Sequence, residues 1–221
     1  MTLSSFYLYG KPDSRLSYHA MQHENMFQWL ALAILMGSIS ISAFHRRRAR
    51  SQGGVIHRSR EGVWLIVGRT LVALPLFGGT VMFIVYPSWM AWASFVVPDW
   101  VRWFGVGLGL CTVPSVHWIL RTLGRNVSET VLTKDQHELV KSGPYRWIRH
   151  PLYTTGVVLF VALGLIAANW LILAFTLLAF VLIRFVVVPR EEQELLARFG
   201  SEYKRYMRRT GTMLPCFRSE R

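Results

Sequence analysis

Cysteine is scarce, and its scarcity excludes a stapled secreted domain. The chain's two cysteines, Cys111 and Cys216, give no disulfide framework, one lying in an apolar run and the other in a basic tail. Acidic residues are scarce too: 12 Asp and Glu face 25 Lys and Arg, for a net charge of +13. No Cys or carboxylate stands at ligand spacing from His137 or His150, so no metal centre is expected. No basic helix or finger pattern stands clear of the apolar runs, which argues against a nucleic-acid reader. Gly105-Val-Gly107-Leu-Gly109 follows no strand and is no dinucleotide fingerprint. It reads as a stripe of small residues that lets helices approach closely. His117 reads as a packed histidine in an apolar helix. The first two dozen residues lack the basic start and small-residue cleavage site of a signal peptide. There is no internal repeat and no low-complexity segment.

What the chain has in quantity is apolar sequence, 52% of its residues, gathered into long runs with the charge between them. That combination predicts an all-α integral membrane bundle. About 20 apolar residues cross a bilayer. Five runs approach that length: Met26–Phe44, Val63–Tyr86, Val101–Leu120, Thr154–Ala168 and Leu171–Val188. Pro87–Trp100 suits an interfacial loop with Trp89, Trp92 and Trp100 at headgroup depth. Asn169-Trp170 is a tight turn that makes the last two runs a hairpin.

Five crossings put residues 45–62, 121–153 and 189–221 on one side, with nearly all the Lys and Arg. By the positive-inside rule that side is cytoplasmic and the N-terminus outside. The expectation is a multi-pass protein of the cell inner membrane. It divides into an extracytoplasmic arm (1–25), three N-terminal crossings (26–120) and a core (121–221) whose site faces the cytoplasm. Within the tail, Leu195, Phe199, Tyr203 and Tyr206 recur at helical spacing among Arg and Lys, predicting an amphipathic helix interrupted at Gly200.

The central stretch is His137–Tyr153. Gly143-Pro144 marks a turn. Pro151 fits the first turn of a helix, and His150 before it is biased to a cap position. The free N–H groups of that helix start are suited to an anion. Glu191 and Glu192 read either as a ligand-holding carboxylate pair or as dipole compensation at a helix start. Tyr145 and Tyr153 read as ring faces for a cation or as an aromatic belt. Arg69 and Arg184 lie within apolar runs, where a charge is either functional or snorkels to the headgroups.

His137-Glu138-Leu139-Val140, Gly143-Pro144-Tyr145, Arg149-His150-Pro151-Leu152-Tyr153, Glu191-Glu192 and Phe199-Gly200-x-x-Tyr203-x-x-Tyr206, taken as a set, resemble the isoprenylcysteine carboxyl methyltransferase family. Related membrane methyltransferases act on phospholipid amines and small thiols. The resemblance covers roughly residues 120–215. It implies S-adenosylmethionine as methyl donor, held by the 137–140 segment, Gly143, Tyr145, Arg149–Tyr153, Glu191 and Glu192. The acceptor it implies is a lipid or a membrane-partitioning small molecule: an isoprenylcysteine carboxylate, a thiol or an amine. The donor's carboxylate suits the helix mouth at Pro151, its sulfonium the tyrosine faces, and its amino or hydroxyl groups Glu191. Methyl transfer is an in-line displacement that needs positioning more than acid–base groups, so the absence of an obvious nucleophile fits.

One position departs from the pattern. Where the isoprenylcysteine enzymes carry an Arg four residues before the donor-binding Glu, this chain has Val187. Arg69, Arg184 and Arg190 are the cations left to hold an anionic acceptor head, and Arg184, about two turns before Glu191, is the expected one. A second family, the membrane sterol reductases, shares a similar C-terminal pattern and binds NADPH there, but with more crossings. A non-enzymatic membrane scaffold is the third reading.

Overall fold

The computed structural model describes residues 14–53, 63–127 and 138–216. Six helices organise them: α1 (Ser14–Gly53), α2 (Val63–Val85), α3 (Asp99–Leu123), α4 (Pro151–Ile166), α5 (Trp170–Leu182) and α6 (Val188–Arg209). No strand forms among the described residues, apart from isolated bridges. The reason is the solvent: in hydrocarbon each backbone polar group must be satisfied within its own segment, and a helix does that. Several hydroxyls fold back on their own helices, as Thr80 and Thr176 do onto the carbonyls of Leu76 and Ile172.

Four helical stretches are long and apolar enough to span: Glu24–Ser51 within α1, α2, α3, and the rod Trp170–Arg209 formed by α5 and α6, which is kinked at Gly200 (φ +52°). That makes a multi-pass membrane protein. The expected fourth crossing, Thr154–Ala168, is the short one. α4 has 16 residues, about 24 Å at 1.5 Å per residue, against a hydrocarbon core of about 30 Å. Laid straight, the rod's 40 residues would measure about 60 Å, twice that thickness. Only its apolar first half, 170–188, suits the hydrocarbon core; from Pro189 onward the chain is amphipathic. The change falls at a π-helical turn, Ile183–Val187, separated from Pro189 by Val188 alone. The extra residue lets the rod pass Pro189 without a break, so the proline sits in the first turn of α6.

Phe27, Ile34, Leu76, Phe83, Leu163, Ile166 and Ile172 form the centre of the bundle. Large apolar side chains also cover its outside: Leu74 is 72% exposed, Leu177 63% and Phe185 66%. In water such a surface would aggregate; in a bilayer it is the lipid face. Inside, close approach replaces the hydrophobic effect as the source of cohesion. A Cβ on Gly105 would stand 2.9 Å from the Ala162 carbonyl oxygen and 3.1 Å from the Ile166 nitrogen, and one on Gly109 would meet the Ile34 side chain at 2.9 Å. Gly107 faces open space. Two of the three glycines therefore seat α3, Gly105 against α4 and Gly109 against both α1 and α4.

The end of the bundle away from the basic residues is tied by Arg102. Its Nε donates to the Ile166 carbonyl at 2.8 Å, its Nη1 pairs with Glu24 at 2.5 Å, and its guanidinium lies 3.9 Å from the centre of the Phe27 ring. It thus caps α4 while joining α1 to α3. Nearby, the Asn169 side chain accepts from the nitrogens of Leu171 and Ile172 and donates to Met90. With Ala168 at φ +45°, that cap turns the chain from α4 into α5 within three residues, 167–169.

Candidate active site

At the basic end, the segment after α3 is held first by Asn126. Its Oδ1 accepts from the Glu138 nitrogen at 3.1 Å and its Nδ2 donates to the Glu138 carbonyl at 3.2 Å. The bridged residues 128–137 lie outside the described set, and His137 with them. Glu138, Leu139 and Val140 emerge from this clamp into a short 3-10 turn, Gly143–Arg146. Gly143 opens the turn at φ +56°, and a Cβ there would meet the Thr122 hydroxyl at 2.9 Å. Both facts call for glycine.

The turn is pinned from α6. The Tyr206 hydroxyl donates to the Tyr145 carbonyl at 2.6 Å. Tyr145 is buried. Burial first, then the neighbouring charge of Glu191 and the Tyr206 ring, push its phenol far above its usual range. It stays a neutral hydroxyl.

Arg149 is the hub. Its Nε donates to Glu192 at 2.7 Å, its Nη1 to the carbonyls of Met207 (3.1 Å) and Thr210, and its Nη2 to the Thr212 hydroxyl at 2.8 Å. The chain beyond α6 returns across the loop as a strap. Gly211 donates to the Trp147 carbonyl (3.0 Å) and accepts from the Arg149 nitrogen (2.8 Å), and His150 donates to the Thr212 carbonyl (3.0 Å). Thr154, in the first turn of α4, adds a hydrogen bond to the Met213 carbonyl at 2.8 Å. No motif at residues 210–213 pointed to this strap; the one signal was the break after Arg209 at the end of an amphipathic helix.

His150 stands between the two glutamates. Its Nε2 lies 3.3 Å from Glu192 Oε1 and its Nδ1 3.7 Å from Glu191 Oε2. Its ring stacks on Tyr153, centroids 5.8 Å apart at 19°. The two carboxylates then divide. Burial alone would raise the Glu192 carboxyl, but hydrogen bonds from His150 and Arg149 and the Arg149 charge outweigh it and hold it below its ordinary value. Glu191 is pushed upward by burial, against the pull of His150, a hydrogen bond from Tyr153 and the charge of Arg69. Its side chain keeps 27% exposure, which limits that rise, yet its Oε2 is sealed from solvent. Among the described residues that oxygen has no hydrogen-bond partner, and neither has the buried Tyr203 hydroxyl.

Beside this cluster, toward the membrane, lies an apolar cavity of about 380 Å³ between α1, α2, α4 and α5. Tyr153 and Val187 form its wall nearest the glutamates, while Ser38, Ser42, Arg46 and Arg69 supply its polar edge. Of the three cations expected to hold an acceptor, Arg69 lines this cavity. Arg184 is not among the lining residues; its guanidinium lies over the ring of Phe185, 5.4 Å from the centroid. Arg190 is exposed on α6. Of the residues expected to hold a donor, the fold gathers Tyr145, Arg149, His150, Tyr153, Glu191 and Glu192 around one point. Arg149 and Glu192 spend themselves on each other and on the strap. Asn126, Tyr203, Arg46 and the strap were not expected.

The bundle with its apolar outside, and a sealed carboxylate beside an apolar cavity, defines an integral membrane protein with a site at its basic end. The chain belongs to the isoprenylcysteine carboxyl methyltransferase (ICMT) family, whose sequence model matches residues 106–198; that makes it a membrane methyltransferase. The cobalt-zinc-cadmium resistance protein CzcN of Cupriavidus metallidurans is 30% identical over 81% of this chain and 75% of its own length. The protein-S-isoprenylcysteine O-methyltransferase of Saccharomyces cerevisiae is 32% identical over 55% of this chain and 56% of its own length. Among solved structures, the eukaryotic intramembrane Ras methyltransferase ICMT superposes with a TM-score of 0.50 at 23% identity, covering 84% of this chain and 67% of that one. α1 and α2, which contribute Ser38, Ser42, Arg46 and Arg69 to the cavity, lie outside the matched 106–198 segment.

Proposed function

We propose that this protein transfers a methyl group from S-adenosylmethionine to a lipid or membrane-partitioning acceptor at the cytoplasmic face of the inner membrane. The observation that carries the reading is the sealed Oε2 of Glu191, which accepts no hydrogen bond among the described residues and has His150 Nδ1 beside it at 3.7 Å. A buried carboxylate oxygen left without a donor costs about 1–3 kcal/mol or more, so a site that keeps one has a use for it. An ammonium or a ribose hydroxyl of the donor would satisfy that oxygen, and the Tyr203 hydroxyl offers a second polar contact. Tyr153, held against His150, presents a ring face to a cation.

When bound, S-adenosylmethionine supplies a methyl group on a positively charged sulfur, whose bond to carbon breaks as the acceptor atom attacks in line. The chain's own part is to position and to exclude water. The Arg149–Glu192 pair and the strap close the loop over the site, and His150 keeps Glu191 facing inward. Tyr153 stands at the boundary between the polar cluster and the apolar cavity. An acceptor tail occupies the cavity, entering sideways from the bilayer, and its polar head meets Ser38, Ser42, Arg46 and Arg69. Val187 offers no charge, so we place the acceptor's anchor on α1 and α2, with Arg69 the first choice over Arg184 and Arg190. Arg69 both lines the cavity and acts on Glu191, so it lies where the two substrates would meet.

Purified protein tested by calorimetry with S-adenosylhomocysteine and with NADPH decides the donor. Binding of the first supports the transferase, binding of NADPH a reductase, and binding of neither a scaffold. Membrane lipid extract incubated with donor labelled on its methyl group then identifies the acceptor class by the labelled product.

A further inference from the structure

Two further recesses adjoin each other at the Gly143–Arg146 turn, and neither is the cavity assigned to the acceptor. The first, about 430 Å³, is lined by Lys141, Arg146, Glu202, Arg205, Tyr206, Arg209 and Thr210. Its cations come from two parts of the chain, the loop and the second half of α6. Its one carboxylate, Glu202, is engaged by Lys141 at 2.7 Å, so the recess keeps a clear positive excess over a floor of buried Tyr206 and Thr210. The second, about 410 Å³, is an apolar groove whose wall includes Trp118, Ile119, Pro144, Trp147, Ile148 and Pro215. The two meet where the Arg146 guanidinium lies over the Trp147 ring, 4.6 Å from its centroid. Trp147 in turn packs edge-on against Trp118, a half-exposed residue near the basic end of α3.

We propose that these recesses form a binding site for an anionic phospholipid, with the headgroup phosphate in the basic recess and an acyl chain along the tryptophan groove. Tryptophan sits at headgroup depth in membrane proteins, which sets the height of the junction between the recesses. A phosphate there lies at the level of the bilayer's own phosphates, and the apolar groove runs from it toward the hydrocarbon. Basic recesses at this depth favour anionic headgroups by charge, and their pull falls off within a Debye length. The apolar groove argues for a lipid rather than free phosphate. The site is on the loop that carries Tyr145 and on the helix that carries Tyr206, so an occupied recess braces the hydrogen bond between them.

The test is native mass spectrometry of the full chain in detergent, titrated with phosphatidylglycerol and, separately, with phosphatidylcholine. Preferential retention of phosphatidylglycerol is expected. Arg146→Gln, Arg205→Gln and Lys141→Gln are expected to reduce that preference by about fivefold each, and Trp118→Ala with Trp147→Ala to weaken retention of both lipids. Circular dichroism and a monodisperse elution profile check that the variants fold. Equal retention of the two lipids overturns the proposal. So does a preference that survives the triple Gln variant, or displacement of phosphatidylglycerol by millimolar inorganic phosphate, which would assign the recess to a free anion.

Discussion

The Arg149 guanidinium and the Glu192 carboxylate meet at 2.7 Å, with only 8% and 15% of their side chains exposed, and through them the loop, α6 and the tail strap become one piece. Neighbours in sequence separate in role here: Glu192 is consumed by structure, and Glu191 is left facing the site. Because both partners are nearly sealed, solvent screening does little to weaken the pair. Arg149→Leu strips Glu192 of its cationic partner, leaving it only His150, takes the guanidinium from the Met207 and Thr210 carbonyls, and is expected to destabilise the protein by about 3–5 kcal/mol. Thermal unfolding in detergent measures it, and early proteolysis after Arg209 would show that the strap has come loose. The Glu192 carboxyl is held below its ordinary value of 4.5, so the stabilisation is fully present above that value and drains away as pH falls through the lower folded-state value. Melting temperature should therefore drop on acidification below about pH 4.5, less steeply in Glu192→Gln.

Glu191→Gln keeps the shape of the side chain and removes the charge. Donor binding is expected to weaken by about 1.5–3 kcal/mol, the range for a hydrogen bond to a charged group, with melting temperature nearly unchanged. Calorimetry with S-adenosylhomocysteine reads it directly. Unchanged affinity would leave Glu191 as a compensating charge at a helix start.

Arg69 and Arg184 make competing claims on the acceptor. Arg69→Gln is expected to raise the acceptor's KM by roughly tenfold or more, while Arg184→Ala, a change at a residue lying over lipid-facing Phe185, does little. Arg69→Lys should restore only part of the loss, since an ammonium does not reproduce a forked contact. Kinetics with the acceptor found in lipid extract separate the two, and the reverse ranking moves the anchor to Arg184.

Gly105→Ala places a methyl group 2.9 Å from a backbone oxygen of α4, where no flexible side chain can yield. A loss of about 1–3 kcal/mol is expected. Gly107→Ala, two residues away and facing open space, should be neutral or gain up to about 1 kcal/mol from helix propensity. Paired melting curves make the comparison.

Topology is tested with single cysteines at Ser14 and Ser219 and a membrane-impermeant thiol reagent. Opposite-side labelling is expected, with Ser219 cytoplasmic. Labelling of both from one side would make α4 a re-entrant element rather than a crossing and leave an even count.

The helical class was legible because it is local: run length and the grouping of charge set it residue by residue. So were Pro151 in the first turn of α4, the break at Gly200, and the helix of α6, whose Tyr203 and Tyr206 follow its period into the core. The short length of α4 was legible only in part. The apolar pattern marks where a segment is greasy, but Arg102, from another helix, caps it at Ile166. The seamless passage through Pro189 was not legible, because a π-helical turn is an insertion in geometry rather than in sequence.

What the sequence by itself determined is the membrane class, the basic end, and the motif set that gathers at the site, since hydropathy, charge and spacing are properties of segments. What only the tertiary structure decided is the division of labour among those residues. Whether Glu191 or Glu192 keeps an unpaired oxygen, and whether Arg69 or Arg184 borders the cavity, depends on which donors arrive from other helices. Arg149 reaches Glu192 across 43 positions of sequence and the Thr212 hydroxyl across 63. A hydrogen bond is decided within a few tenths of an ångström, and no periodicity along one segment carries the position of its partner on another.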